Sequence, residues 1–364
     1  MKKQIVGKHL RINNTDSTDA LVKYIKEGLE PIGVNTLILE FNPGYNYRCF
    51  PELADGTFGR DDAKKVAIAA KESGIKIVPL FMCLGHQGWK YESNKFLLHY
   101  PEFKETTDVV EGRKSPDKVG GKIITNTPNG EFYCHSWCAS NDEVYKYVFP
   151  RMDEIMEDFN ADCIHVGMDE VFSIAEDSCP RCVGKGRAEL FARTVNILHD
   201  HIVKEKGWQM MMWGDRLVNA REYEPHAWEA DYLGIWRAID MIPNDIIMCN
   251  WHYEMNENGF PSFEMFMEKG FNILPGGWRS LKQMRFLHDQ AVKYQNIATQ
   301  KGLKGSIAGM ITTCWATATP EFINEMNELV KSMIQPGLGL ERFENDMDIK
   351  GVASSLVYMA SQYK

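Results

Sequence analysis

Two carboxylates stand side by side where an apolar run ends, in Ile164-His165-Val166-Gly167-Met168-Asp169-Glu170. Neighbours at a strand end project in different directions, so one acid can face a leaving group and the other a second part of the same ligand. Tryptophans end other apolar runs: Trp213 before Gly214-Asp215, Trp251 before His252-Tyr253, Trp278 after Gly277, and Trp315. Gly85-His86 ends another, and Glu40, Asn42 and Tyr45 cluster at one more. Flat indole faces pack on the apolar C–H faces of a pyranose, while acids and amides bind its hydroxyls. Carboxylates inside such a ring can protonate a glycosidic oxygen and stabilise an oxocarbenium-like transition state. Plainer readings compete with this one. Asp142-Glu143 and Asp153-Glu154 are adjacent acids too, and read as solvated helix faces. A single Trp at a strand end is more often core, and His86 or His165 taken singly reads as a satisfied polar residue or an orienter.

Positioning these residues requires a regular scaffold, and the chain supplies eight short apolar runs. They are Ile5–Ile12, Thr36–Phe41, Ile75–Phe81, Cys163–Met168, Gln209–Trp213, Ile246–Trp251, Phe271–Leu274 and Ala308–Trp315. Most are nearly continuous in apolar residues, as parallel strands covered on both faces must be. Helical stripes lie between them: Val144, Val148, Ile155 and Phe159; Phe191, Val195, Leu198 and Ile202; Met284, Leu287, Ala291, Tyr294 and Ala298. Ser140 and Glu143 read as a capping box for the first stripe, and Pro150 inside it implies a kink or two pieces. Asp61 or Asp62 reads as the cap of a helix over Ala63–Ser73, ended by Gly74. Eight strand–helix units predict a (β/α)8 TIM barrel, an α/β fold, with one domain over residues 1–364. Its site belongs at the C-terminal ends of the strands. Residues Gly85 to Ala139, after strand three, are too long for an ordinary connection and read as part of that site.

Composition bounds the function. Of 364 residues, 44% are hydrophobic and 25% charged, an ordinary globular balance. A formal charge of −9 leaves no basic surplus for phosphates, which excludes a nucleic-acid partner. No run reaches the length of a membrane span, and MKKQIVGKHLRINN has no apolar core of a signal peptide, so the expected location is cytoplasmic unless a leader was trimmed. No GxGxxG or Walker motif follows a strand. Nine cysteines do not form the framework of a small secreted domain, and reduced thiols are the simplest reading.

The segment His165-Val166-Gly167-Met168-Asp169-Glu170 resembles the His-x-Gly-Gly-Asp-Glu signature of glycoside hydrolase family 20, the β-N-acetylhexosaminidases. Ile77-Val78-Pro79 running to Gly85-His86, the helix before the acid pair, and Trp213, Trp251 and Trp315 are similar to the family as well. The resemblance covers nearly the whole barrel, without the small domain that many members carry before it. It implies a retaining, substrate-assisted hydrolysis of terminal β-linked N-acetylhexosamine, GlcNAc or GalNAc. Glu170 would be the general acid and base, and Asp169 would orient the 2-acetamido group that attacks the anomeric carbon. No cofactor is required, and the partner is a small carbohydrate or glycoconjugate.

Three positions depart from the family's pattern. Met168 replaces the second Gly and is expected to reshape the pocket floor. Asn42 stands where an acid is usual, with Glu40 a possible substitute in tuning the acid through His86. Thr317 stands two residues after Trp315, where another acid is usual, so Arg11 or Asp215 would hold the distal hydroxyls. Tyr253 is the candidate for the acetamide-binding tyrosine. These departures keep two alternatives in view: a non-catalytic carbohydrate-binding barrel, and a two-carboxylate β-glycosidase with Glu40 or Asp215 as its second acid. Cys179-Pro180-Arg181-Cys182 and Cys134-His135-Ser136-Trp137-Cys138 could form a structural zinc site through Cys134, Cys138, Cys179 and Cys182, or be free thiols or a disulfide.

Overall fold

The computed structural model describes residues 3–12, 14–41, 44–89, 92–105, 118–119, 122–123, 134–223 and 227–364. Asn42 lies outside them. Eight parallel strands close into a barrel: β1 (Ile5–Arg11), β2 (Thr36–Glu40), β3 (Lys76–Cys83), β4 (Cys163–Gly167), β5 (Gln209–Trp213), β6 (Ile247–Trp251), β7 (Asn272–Gly277) and β8 (Gly309–Thr312). Each pairs with its sequence neighbour, and β8 returns to β1 with Ile5 opposite Gly309. The eight apolar runs are these strands, with ends that coincide or differ by at most three residues.

Both faces of the strands are covered, which explains the continuous apolar runs. Ile38, Val78, Leu80, Met211, Cys249, Leu274 and Ile311 point into the barrel and form its inner core. Their neighbours Leu37, Leu39, Ile77, Ile164, Met210, Met212, Met248 and Ile273 point outward into the helix layer. That layer contains α1 (Thr18–Tyr24), α2 (Arg60–Glu72), α3 (Tyr145–Phe159), α4 (Arg187–His199), α5 (Ser262–Glu268), α6 (Leu281–Lys301), α7 (Pro320–Met333) and α8 (Ile349–Ser361). All three helical stripes are buried against the barrel. The β5–β6 crossover carries short helical turns, Ile235–Met241 among them, where other units carry a helix.

Local details correct four expectations. Asn141, not Ser140, caps the turn that leads into α3, accepting the Glu143 N–H at 3.3 Å. Ser140 is turned toward Cys182 and Lys185 instead. The helix runs unbroken through Pro150. Gly59 is the cap of α2, and Asp62 acts from inside the first turn, accepting the Gly59 N–H at 3.1 Å. Glu154 is buried rather than solvated, because the N–H groups of Arg48 and Cys49 both donate to its carboxylate at 2.7 Å.

Candidate active site

A cavity of about 450 Å³ opens at the C-terminal ends of the strands, within the usual range for small-ligand sites. Arg11, Glu40, His86, Asp169, Glu170, Trp251, Tyr253, Trp278 and Trp315 all line it. Strand ends from β1, β2, β4, β6, β7 and β8 thus converge, and His86 reaches the same space from the connection after β3.

The acid pair sits on an unusual backbone. Gly167, Met168 and Glu170 all have positive φ, at 67°, 73° and 49°, and so do Leu84 at 63° and His86 at 54° on the neighbouring strand end. Left-handed conformations at residues other than glycine cost about 1–3 kcal/mol each and persist only where the surroundings enforce them. Part of the enforcement is Asp215, whose Oδ2 accepts the Glu170 N–H at 2.9 Å and the Arg216 Nε–H at 2.7 Å. Met168 shows why a glycine suits its position, since its φ is one that glycine adopts without strain. Its side chain, however, is fully buried in the helix-side core and does not reach the cavity, so it does not reshape the pocket floor.

His86 ties the two acids together. Its Nε2 lies 3.2 Å from Asp169 Oδ2 and 3.3 Å from Glu170 Oε2. Burial works to neutralise the imidazole, yet the Asp169 charge and the hydrogen bonds to both acids raise its pKa well above the ordinary histidine value. The other oxygen, Asp169 Oδ1, is buried and has no hydrogen-bond partner among the described residues. Asp215 is pushed up to about 6, first by burial and then by competition between the Arg216 charge and the neighbouring acids.

Aromatic rings wall the remainder. Trp251 stacks on Tyr253 at 4.9 Å between centroids, and Trp278 meets Tyr253 edge-on at 5.4 Å. Trp315 Nε1–H donates to Tyr253 Oη at 2.9 Å, which fixes both rings. On the β2 side, Glu40 Oε2 is held by His9 Nε2 at 3.2 Å.

Several candidates lie elsewhere. Trp213, Asp215 and His165 do not line the cavity. Trp213 is one layer down inside the barrel, edge-on to His9 and tilted against His165 at 4.6 Å. Burial lowers the His165 pKa well below the ordinary value, so the ring is neutral, and its Nδ1 accepts the Gly167 N–H at 3.0 Å. Asp215 is fully buried behind the acid pair. Tyr45 belongs to the core and donates to Asp158 at 2.7 Å.

The cavity also has walls that strand-end reasoning missed. Trp89 comes from the connection after β3, Trp228 and Glu229 from the one after β5, and Glu254 and Arg279 from those after β6 and β7. Glu229 supports the wall from behind as well, with Oε2 2.5 Å from His252 Nδ1 and Oε1 accepting the Tyr253 N–H at 3.0 Å. The signal was Trp228-Glu229 itself, an indole and an acid adjacent in a connection long enough to fold back over the rim.

Residues 39–335 match the model of the glycosyl hydrolase family 20 catalytic domain. The chain belongs to glycosyl hydrolase family 20. Similar solved structures include the Flavobacterium johnsoniae chitobiase, at 16% identity and a TM-score of 0.57, covering 99% of this chain and 52% of that one. The β-N-acetylhexosaminidase from Bacteroides fragilis has 14% identity and a TM-score of 0.59, covering 96% and 65%. A lacto-N-biosidase of Bifidobacterium bifidum is 27% identical over 174 residues, which are 45% of this chain and 13% of that protein. The chain therefore spans about half the length of the chitobiase and matches a small part of the lacto-N-biosidase. In this family 20 barrel the acid pair at the end of β4 falls within the matched residues and lines the cavity.

Proposed function

We propose that this family 20 domain hydrolyses terminal β-linked N-acetylhexosamine, GlcNAc or GalNAc, from glycans or glycoconjugates, with retention of configuration. The observation that carries the reading is the acid pair at the cavity wall. One oxygen of Asp169 lies against His86 and the other is buried without a partner among the described residues, while Glu170 stands beside it. A buried carboxylate oxygen left unpaired is costly unless a ligand supplies the missing donor, and an acetamide N–H is such a donor.

The proposed steps use that arrangement. Glu170 gives its proton to the glycosidic oxygen as the bond to the anomeric carbon breaks. The substrate's acetamide oxygen closes on that carbon from the other face, and Asp169 stabilises the positive charge that develops on the acetamide nitrogen. The ionised Glu170 then takes a proton from water as the water opens the oxazolinium ring. Two inversions give net retention. The substrate's acetamide thus takes the place that an enzyme carboxylate nucleophile has in other retaining glycosidases. Tyr253 would donate its hydroxyl proton to the acetamide oxygen; the Trp315 Nε1–H that donates to its Oη and its place in the cavity lining support this. Trp251, Trp278 and Trp315 supply apolar faces for the pyranose, and Arg11, Glu254 and Arg279 supply polar contacts for hydroxyls. Asp215 acts through the Glu170 backbone rather than on substrate.

Aryl β-N-acetylglucosaminide, aryl β-N-acetylgalactosaminide and aryl β-glucoside, assayed with wild type, Glu170→Gln and Asp169→Asn, test the reading. Turnover of the acetamido sugars alone is expected, with Glu170→Gln losing most activity on poor leaving groups and less on activated ones. Preference for the glucoside would replace it with the two-carboxylate alternative, and silence on all three with a binding barrel.

A further inference from the structure

Outside the cavity, three thiols and one carboxylate converge. Cys138 Sγ lies 3.5 Å from Cys179 Sγ and 3.3 Å from Cys182 Sγ, and Glu105 Oε2 lies 3.2 Å from Cys182 Sγ. The four ligand atoms all fall within 4.8 Å of one another, and all four residues are buried. None of them lines the cavity. Cys134, a candidate from its spacing, is elsewhere, with its Sγ 3.6 Å from the Glu170 carbonyl. Glu105 takes the fourth place, from a position 33 residues before Cys138 that no local motif marks.

We propose that Glu105, Cys138, Cys179 and Cys182 hold one structural zinc ion. A disulfide requires sulfurs about 2.0 Å apart. A tetrahedral zinc with Zn–S bonds of about 2.3 Å places its sulfurs about 3.8 Å apart, within half an ångström of the spacings here. Three sulfurs and one oxygen complete a tetrahedron and leave no open position, as structural sites require. The surroundings fit thiolates. Arg181 Nε–H donates to Cys138 Sγ at 3.3 Å, and the backbone N–H groups of Ser140 and Arg181 face Cys138 and Cys179. Glu105 Oε1 accepts the Glu176 N–H at 3.0 Å, which turns Oε2 toward the sulfurs. Donors of this kind orient metal ligands and tune them. In the Cys179–Cys182 turn, the Cys182 N–H donates to the Cys179 carbonyl at 3.0 Å and brings both sulfurs to one side.

The ion would pin two connections together. Glu105 and Cys138 belong to the segment between β3 and α3, and Cys179 and Cys182 to the segment between β4 and α4. The first segment also carries His86 and Trp89, and the second carries Asp169 and Glu170. Lys104 bridges Trp137, and Trp89 bridges Cys134, so the pin continues to the cavity wall through paired backbone.

The test is metal analysis of the full chain purified without chelator or immobilised metal, by elemental mass spectrometry and native mass spectrometry. About one zinc per chain is expected, falling at least tenfold in Cys179→Ser and Cys182→Ser and unchanged in Cys134→Ser and in the exposed Cys49→Ser. Cobalt exchanged into wild type should give thiolate charge-transfer absorption, absent from Cys182→Ser. If the serine variants fail to fold, the wild-type measurement still decides. A metal-free wild type whose nine cysteines all titrate as thiols in denaturant overturns the proposal, and so does a mass lower by two hydrogens, which would indicate a disulfide. These readouts are independent of hydrolysis, so the glycosidase reading can fail without touching this one.

Discussion

His86→Gln isolates the charge that joins the acid pair. Glutamine retains a hydrogen-bonding side chain but no positive charge. At contacts of 3.2 and 3.3 Å, an imidazolium attracts each carboxylate by about 5 kcal/mol at an effective dielectric of about 20, before the cost of burying the charges is subtracted. If a quarter to a half of that survives, the effect is about 1–3 kcal/mol. The sign is fixed by the charge: while His86 is protonated the contacts stabilise the fold, and glutamine forfeits that attraction. The pH dependence of stability carries the signature. A histidine raised in the folded state contributes stability that is fully present below its unfolded value of about 6.5 and is lost as pH rises through the folded value. The stability gap between wild type and variant, measured by urea denaturation, should therefore narrow as the buffer becomes alkaline. A stability gap that stays constant from acid to alkaline buffer would contradict a charged His86 between the acids.

Other substitutions probe the supports. Asp215→Asn leaves the buried Arg216 guanidinium without its carboxylate, so urea denaturation should show a loss of about 3–5 kcal/mol; a loss below about 1 kcal/mol would mean the pair is not buried as described. Met168→Gly removes a buried side chain but relieves a positive φ, for a net cost of about 1–4 kcal/mol. Its kcat/KM should stay within about threefold of wild type, and a large change in substrate preference would place the Met168 side chain in the pocket after all. Trp278→Ala removes a wall of the cavity, and a stacking loss of about 1 kcal/mol should lower kcat/KM on an acetamido sugar about fivefold; an unchanged value would take that ring out of the binding site.

The barrel was legible because burial on both faces writes each strand as an apolar run, and the acid pair was legible because it follows such a run. Depth was not legible. Trp213 and Trp251 end neighbouring strands in similar sequence settings, yet one indole lies inside the barrel against His165 and the other faces the cavity. Asp215 looked like a ligand contact for the same reason, and only the Glu170 N–H pointing at it reveals a positioning role. Residues on long connections carry no periodicity, so Trp89 was marked only by the length of its connection, and Trp228-Glu229 only by residue type. Glu105 meets the Cys179–Cys182 turn across more than seventy residues, a distance over which spacing rules say nothing.

In the proposed reaction the nucleophile is the substrate's own acetamide, oriented by Asp169. Binding of an N-acetylglucosamine thiazoline, a stable mimic of the oxazolinium ion, tests it most directly. Competitive inhibition far tighter than binding of the parent sugar is expected, sharply weakened in Asp169→Asn. An enzyme that turns over acetamido sugars while binding the thiazoline no better than N-acetylglucosamine would contradict it.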